Sequence, residues 1–241
     1  MAVGTFERVD PAAPAGPGDP GRRDDRPAAR SAHAVSGVLL VAPFALLATL
    51  VLSDWPPLRR LDLAITTQLH GYALDHPVWV RAMSFWTDLF APMPLRAAAF
   101  VLVIWLARDG ARRLAVWATT TMVFGGLLGP LLKLLVGRRR PDLPDPVAQA
   151  PGLAFPSGHA LNAMLAAGIL LVVFLPRTRP RSATRTGVWL GALTIALVTG
   201  FSRVALGVHW SSDVLAGWLL GAAVVIATFA AFAGWPRRRS S

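Results

Sequence analysis

Cysteine is absent from the 241 residues, which excludes disulfides, iron–sulfur clusters and thiolate catalysis. Charge is scarce as well: charged residues make up 15% of the chain against 54% hydrophobic residues, and the mean hydropathy is +0.50. A chain so poor in charge and so rich in apolar surface has lipid, not water, as its main solvent, so it reads as an integral membrane protein. Lysine is nearly missing too, because Lys133 stands alone among 24 basic residues and the others are all Arg. The net charge of +11 does not mark a nucleic-acid binder. The Arg residues fall in the gaps between apolar runs, as in membrane loops, and leave no soluble basic face for a duplex.

Residues 1–34 are rich in Pro, Gly, Ala, Arg and Asp; they cannot bury enough surface to offset chain entropy and are expected to form a disordered tail. The apolar runs that follow predict an all-α bundle of six spans within residues 35–235. These are Val35–Leu52, Phe90–Ala107, Leu114–Val136, Gly158–Leu175, Val188–Leu206 and Val208–Trp235, with a basic tail at 236–241. The stretch from Pro56 to Pro92 carries Arg59, Arg60, Asp62, Asp75, Arg81 and Asp88, too many charges for hydrocarbon, and reads as interfacial helices. Arg96, near the start of the second span, is expected to snorkel to the interface. Gly125, Gly126, Gly129 and Pro130 suit close helix packing with a kink. Trp55, Trp117, Trp189, Trp210 and Trp235 fall near span ends, where amphipathic rings prefer to sit. Six spans put both termini on one side, and that side collects 15 of the 24 basic residues. The positive-inside bias therefore places the termini in the cytoplasm and the loops with the polar motifs outside.

Three polar groups stand at the ends of apolar spans: Lys133 with Arg140-Pro141, then Pro156-Ser157-Gly158-His159, then Ser202-Arg203 with His209 and Asp213. Span parity requires these ends to share one face. Lys133 lies about three residues from its span end, roughly 4–5 Å at 1.5 Å per residue, which sets the cluster at headgroup depth. With the sixth helix starting by Val208, His209 and Asp213 stand at i and i+4. The carboxylate can then bond Nδ1 and leave Nε2 free to attack phosphorus. His159 follows Ser157 and Gly158 at a helix start, where N–H groups favour an anion, and can protonate a departing oxygen. Lys133, Arg140 and Arg203 suit the equatorial oxygens of a phosphoryl group. Two such charges about 6 Å apart repel by roughly 3 kcal/mol at an effective dielectric near 20, so the site should take phosphate, sulfate or vanadate readily.

The three groups resemble the motifs of the type 2 phosphatidic acid phosphatase family, which shares a helical core with vanadium haloperoxidases and bacterial acid phosphatases. Lys133, Arg140 and Pro141 match the first motif, Pro156 to His159 the second, and Ser202, Arg203, His209 and Asp213 the third. The resemblance implies hydrolysis of a lipid phosphate or diphosphate through a phosphohistidine on His209, with His159 as general acid, Asp213 as its partner carboxylate, and no metal or cofactor. Lys133, Arg140, Arg203, Ser157 and Gly158 are then phosphate-binding, and Pro141, Pro156 and Ser202 structural. Its substrates include undecaprenyl diphosphate, phosphatidic acid, phosphatidylglycerol phosphate and diacylglycerol diphosphate, so the expected partners are a lipid phosphate and the bilayer. Two alternatives use the same inventory: a phosphotransferase passing phosphate to an alcohol, and a non-enzymatic lipid transporter. Transporters place polar sites near the midplane and often carry inverted repeats, and no repeat is visible here. Outside the motifs, His33, His70 and His76 read as solvated or interfacial. Arg138 and Arg139 read as headgroup contacts, with one of them a candidate to grip the second phosphate of a diphosphate. Asn162 reads as either a packing residue or a group lining the site.

Overall fold

The computed structural model describes residues 41–233, all of whose regular elements are helical. The expected tails at 1–34 and 236–241, and the start of the first span, lie outside the described residues. The helices are α1 (Val41–Leu52), α2 (Pro56–Asp75), α3 (Pro77–Leu89), α4 (Pro92–Arg108), α5 (Arg112–Val136), α6 (Gly158–Phe174), α7 (Ala183–Ala205) and α8 (Ser211–Ala233). Proline opens α2, α3 and α4, where the missing N–H has no intrahelical partner in any case. Ser182 caps α7 by accepting from Arg185 N–H at 3.2 Å, which starts that helix five residues before the expected span.

Five helical stretches are long and apolar enough to cross a membrane, and a sixth arises if the bent pair α1 and α2 is counted as one. α2 turns through 91° from α1, so a membrane-crossing α1 lays α2 across the end of the bundle, as expected for an interfacial helix. The expected interfacial stretch 77–89 is not separate from the second span. α3 runs on into α4 as one 32-residue candidate span, Pro77–Arg108. The backbone ladder lapses only briefly: Phe90 N–H still reaches Trp86 O at 3.0 Å and Leu95 N–H reaches Ala91 O at 3.1 Å. Thirty-two residues extend about 48 Å, against ~30 Å of hydrocarbon, so this helix pair is longer than an upright crossing requires.

α6 is the central helix, with Leu161, Leu165, Ile169 and Val173 in the main core cluster. Its neighbours approach it through glycine. A Cβ on Gly217 of α8 would lie 2.7 Å from Ser157 O, and one on Gly221 would lie 2.8 Å from Met164 Cβ. Gly217 and Gly221 thus form a small-xxx-small face that lets α8 dock on the α6 backbone. On the outside α5 exposes Leu127, Leu131, Leu134 and Leu135, the apolar surface expected toward lipid tails. α5 passes through Pro130 as one helix.

Two side chains depart from expectation because the interior offers them partners. Arg96 does not snorkel outward: its Nε donates to Asn162 Oδ1 at 3.1 Å, and its guanidinium lies over Gly126, which has no side chain to exclude it. Trp117 is 2% exposed and turns inward, not toward lipid; its Nε1 donates to Thr228 Oγ1 at 3.2 Å, so its polar edge is satisfied inside the bundle.

Candidate active site

All three motifs meet at one end of the bundle, where α5 and α7 finish and α6 and α8 begin. Gly207, at φ 67°, reverses the chain after α7, and Val208 and His209 N–H both donate to Arg203 O at 3.1 and 3.2 Å. α8 starts at Ser211, so His209 precedes it and the expected i,i+4 pair on one helical face is not what joins His209 to Asp213. Asp213 sits in the first turn and reaches back to cap it, accepting Trp210 N–H on Oδ2 at 2.9 Å and His209 Nδ1 on the same oxygen at 3.2 Å. The cap therefore brings the carboxylate to the imidazole.

The hydrogen bonds assign the histidine tautomer. Arg140 Nη1 lies 2.9 Å from His209 Nε2, and a guanidinium can only donate, so Nε2 presents its lone pair and the ring proton is on Nδ1, facing Asp213. Arg140 is held in turn by Val208 O at 2.7 Å, Gly152 O and Pro151 O at 3.0 Å, and Leu153 O at 3.3 Å. Lys133 Nζ donates to the same Leu153 carbonyl at 2.6 Å, so one loop orients both cations. Burial of His209, which is 1% exposed, holds its proton affinity well below the ordinary histidine range; the Asp213 bond and charge oppose this, while Arg140 and Arg203 add to it. Burial also lowers the Arg140 pKa, with Asp213 opposing.

The His209 shift gives a stability prediction with a definite sign. A histidine depressed in the folded state binds fewer protons there than in the unfolded chain. Stability should therefore fall as pH drops through the ordinary histidine value of 6.5 toward the depressed one. Thermal unfolding in detergent across that window is expected to show this slope, and His209→Gln to make it shallower.

Further hydrogen-bond donors lie at the same end of the bundle. Ser157 is fully buried, yet its Oγ has no hydrogen-bond partner among the described residues, and neither does Arg203 Nε. Both are donors whose satisfaction requires an acceptor from elsewhere. Arg203 Nη1 donates to Thr87 Oγ1 at 3.0 Å, which aims the guanidinium from the α3 side. Ser157 N–H bonds Asp213 O at 2.9 Å, fixing the start of α6 against α8, and Gly158 and His159 follow with first-turn N–H groups that have no intrahelical acceptor. His159 lies within electrostatic reach of Arg203, His209, Arg140 and Lys133. Pro156 is buried after a cis Phe155–Pro156 bond, Pro141 directly follows Arg140, and Ser202 turns its Oγ back to Thr199 O at 2.8 Å, inside its own helix.

Several residues differ from their sequence reading. Arg138 is not a headgroup contact: Nη1 bonds Asp213 Oδ1 and Ser212 Oγ at 2.7 Å each, Nη2 bonds Asp62 Oδ2 at 2.7 Å, and the guanidinium lies 5.5 Å from the Trp210 ring centroid. Three of its donors are thus held inside the protein, whereas Arg139 remains exposed. Asp62, counted as an interfacial charge, is fully buried and also accepts from Ser211 Oγ at 2.6 Å and Ser212 N–H at 2.9 Å. The available signal was the spacing of Asp62, Thr66 and His70 at every fourth position, one buried polar stripe on α2. His70 is 4% exposed and not solvated; its Nε2 bonds Pro144 O at 2.7 Å and pins the motif loop to α2. His76 is exposed, stacks on Tyr72 at 3.8 Å and meets the solvated expectation, and His33 lies outside the described residues. Asn162 resolves as a buried strut, with Nδ2 on Gly158 O at 2.8 Å and Oδ1 on Arg96.

Comparison with known proteins agrees with this geometry. The family model of the PAP2 superfamily matches residues 114–237. Phosphatidylglycerophosphatase B of Bacillus subtilis is 37% identical over 102 residues, 42% of this chain and 50% of that protein. Undecaprenyl-diphosphatase of Sulfolobus acidocaldarius is 31% identical over 115 residues, 46% of this chain and 51% of that protein. The chain thus spans about half the length of the curated relatives it matches. The crystal structure of a transmembrane PAP2 type phosphatidylglycerolphosphate phosphatase from Bacillus subtilis covers 84% of this chain and 98% of its own, with a TM-score of 0.67 at 28% identity. From the family match across residues 114–237 and the meeting of all three motifs at one end of an all-helical bundle, the chain belongs to the PAP2 superfamily, the type 2 phosphatidic acid phosphatases.

Proposed function

We propose that this protein is a membrane lipid phosphatase that hydrolyses a lipid phosphate or diphosphate through a phosphohistidine on His209. The observation that carries the reading is the unprotonated Nε2 of His209, fixed between Arg140 at 2.9 Å and the Nδ1 bond to Asp213 at 3.2 Å. In the first step Nε2 donates its lone pair to phosphorus, the phosphorus–oxygen bond to the lipid breaks, and His159 gives its proton to the departing oxygen. In the second step water attacks the phosphohistidine as His159 takes a proton from it, which frees phosphate and restores the ring. Lys133, Arg140, Arg203, Ser157 Oγ and the N–H groups of Gly158 and His159 stabilise the equatorial oxygens. Asp213 balances the positive charge that builds on the imidazole during attack.

The site faces the outer side of the cell membrane in this reading, with both termini cytoplasmic, in keeping with the distribution of basic residues. A polyprenyl diphosphate is the first-choice substrate, with phosphatidic acid and phosphatidylglycerol phosphate following. The names of the two curated relatives, one for a phosphatidylglycerol phosphate and one for a prenyl diphosphate, support this range. The test is phosphate release by the purified protein from undecaprenyl diphosphate, phosphatidic acid and phosphatidylglycerol phosphate, with and without a hydroxyl acceptor. Release from at least one lipid, undiminished by the acceptor, is expected; release from none contradicts the reading.

Lys133 makes a further prediction. Its compact ammonium donates to Leu153 O at 2.6 Å beside the carbonyls that hold Arg140, and an Arg is longer, planar and forked. Lys133→Arg is expected to keep the charge and still lower kcat/KM by about 10-fold or more, because one good hydrogen bond to a charged group is worth ~1.5–3 kcal/mol. Steady-state kinetics on the best lipid checks it, and a silent Lys133→Arg shows that charge alone suffices.

A further inference from the structure

Asp62 lies on α2, outside the 114–237 stretch matched by the family, yet it closes the hydrogen-bond chain behind His209. Its carboxylate takes Arg138 Nη2 at 2.7 Å, Ser211 Oγ at 2.6 Å, Ser212 N–H at 2.9 Å and Ser212 Oγ at 2.5 Å. Arg138 turns its other amino group to Asp213 Oδ1 at 2.7 Å, which leaves Oδ2 of Asp213 for His209 Nδ1 and Trp210 N–H. The chain therefore reads Asp62, Arg138, Asp213, His209, Arg140, with charged groups alternating in sign about the imidazole.

We propose that Asp62 is a positioning residue for the reaction: through the fork of Arg138 it fixes the rotation of the Asp213 carboxylate so that one oxygen faces His209, and it cancels the charge of Arg138 so that the nucleophile is not opposed by a fourth cation. The proposal rests on His209 being the nucleophile. The cap bond from Trp210 N–H holds Asp213 at the start of α8 but does not choose the rotation of the carboxylate. The planar guanidinium does, because each of its amino groups is tied to a different carboxylate and its face to the Trp210 ring. The three cations that meet the phosphoryl group, Lys133, Arg140 and Arg203, then act on the substrate without a contribution from Arg138. Asp62 and Asp213 are both fully buried and Arg138 is 16% exposed, so little water intervenes to screen an imbalance.

The charge argument predicts a kinetic split that simple loss of packing does not. Removing the Asp62 charge leaves Arg138 uncompensated next to an imidazole that becomes positive during attack, while a phosphate anion in the ground state is held at least as well. Asp62→Asn is expected to lower kcat by about 10- to 100-fold, the range for groups that orient a reacting residue, with KM and the inhibition constant of inorganic phosphate unchanged or lower. Thr66→Val, on the same buried face with a hydroxyl that has no partner among the described residues, is expected to leave all three unchanged. A kcat within twofold of wild type, or a kcat loss accompanied by a proportionate rise in KM and in the phosphate inhibition constant, overturns the proposal. If Asp62→Asn does not purify as folded protein, Arg138→Gln carries the test: it releases Asp213 Oδ1, so an unchanged kcat there overturns the proposal and a loss of the same order supports it. His209→Ala in the same assay separates the two levels, since undiminished release from it removes the nucleophile reading itself.

Discussion

Replacing His209 with alanine is expected to lower kcat for phosphate release by about 10⁴-fold, or about 5.5 kcal/mol in the barrier, while leaving a folded protein. The size follows from what the ring alone supplies. Arginine and lysine around it present only donors, and Asp213 is already engaged through both oxygens, whereas Nε2 of His209 presents a lone pair, which in the proposed reading is the nucleophile. The binding groups survive the substitution. Arg140 keeps four carbonyl partners and Lys133 keeps Leu153 O, so KM should change far less than kcat. Phosphate release by the variant, measured beside its far-UV circular dichroism, checks both halves. A kcat within tenfold of wild type would mean that the phosphoryl group goes directly to water.

The second large effect is structural in origin. Gly217→Leu is expected to lower both stability and activity, because a Cβ there lies 2.7 Å from Ser157 O and 3.1 Å from Leu161 N. Those atoms belong to the α6 backbone, so no rotamer relieves the contact and α8 must move away. Overpacking of this kind costs about 1–3 kcal/mol or more. The damage is also local to the chemistry: the bond from Ser157 N–H to Asp213 O at 2.9 Å joins the starts of α6 and α8, hence His159 to His209. A shift of about 1 Å between such groups costs on the order of 100-fold in rate. Gly191→Leu, where a Cβ meets nothing within 4 Å, is the control and is expected to behave as wild type. Thermal unfolding in detergent and kcat on the same preparations read the two effects separately.

Much of the site was legible because the chemistry restricts residue type more than the fold does. Lys133, Arg140, His159, Arg203, His209 and Asp213 can be placed on one face from span parity alone, and they meet there. What sequence did not reveal depends on partners far apart in the chain. Asp62 and Arg138 are 76 residues apart, and each looks like an ordinary interfacial charge until α2 is laid across the bundle end. Arg96 and Asn162 are 66 residues apart and became readable only as a pair. The helix pair Pro77–Arg108 was split because Arg81 and Asp88 read as too much charge for hydrocarbon, whereas the backbone ladder resumes at Leu95, whose N–H donates to Ala91 O. The start of α8 was placed too early because the apolar run begins before the helix does. The positive-φ Gly207 and the back-reaching Asp213 decide where helical geometry starts.

The most direct test of the central claim is to trap the intermediate. Lipid substrate labelled in its terminal phosphate, mixed with the protein and quenched in alkali within one turnover, should leave label on the protein that is stable to base, labile to acid, and confined to the peptide containing His209. Label on that peptide, absent from His209→Ala, is the result predicted here. Rapid single-turnover phosphate release with no labelled protein at any quench time, or label on a different residue, would contradict it.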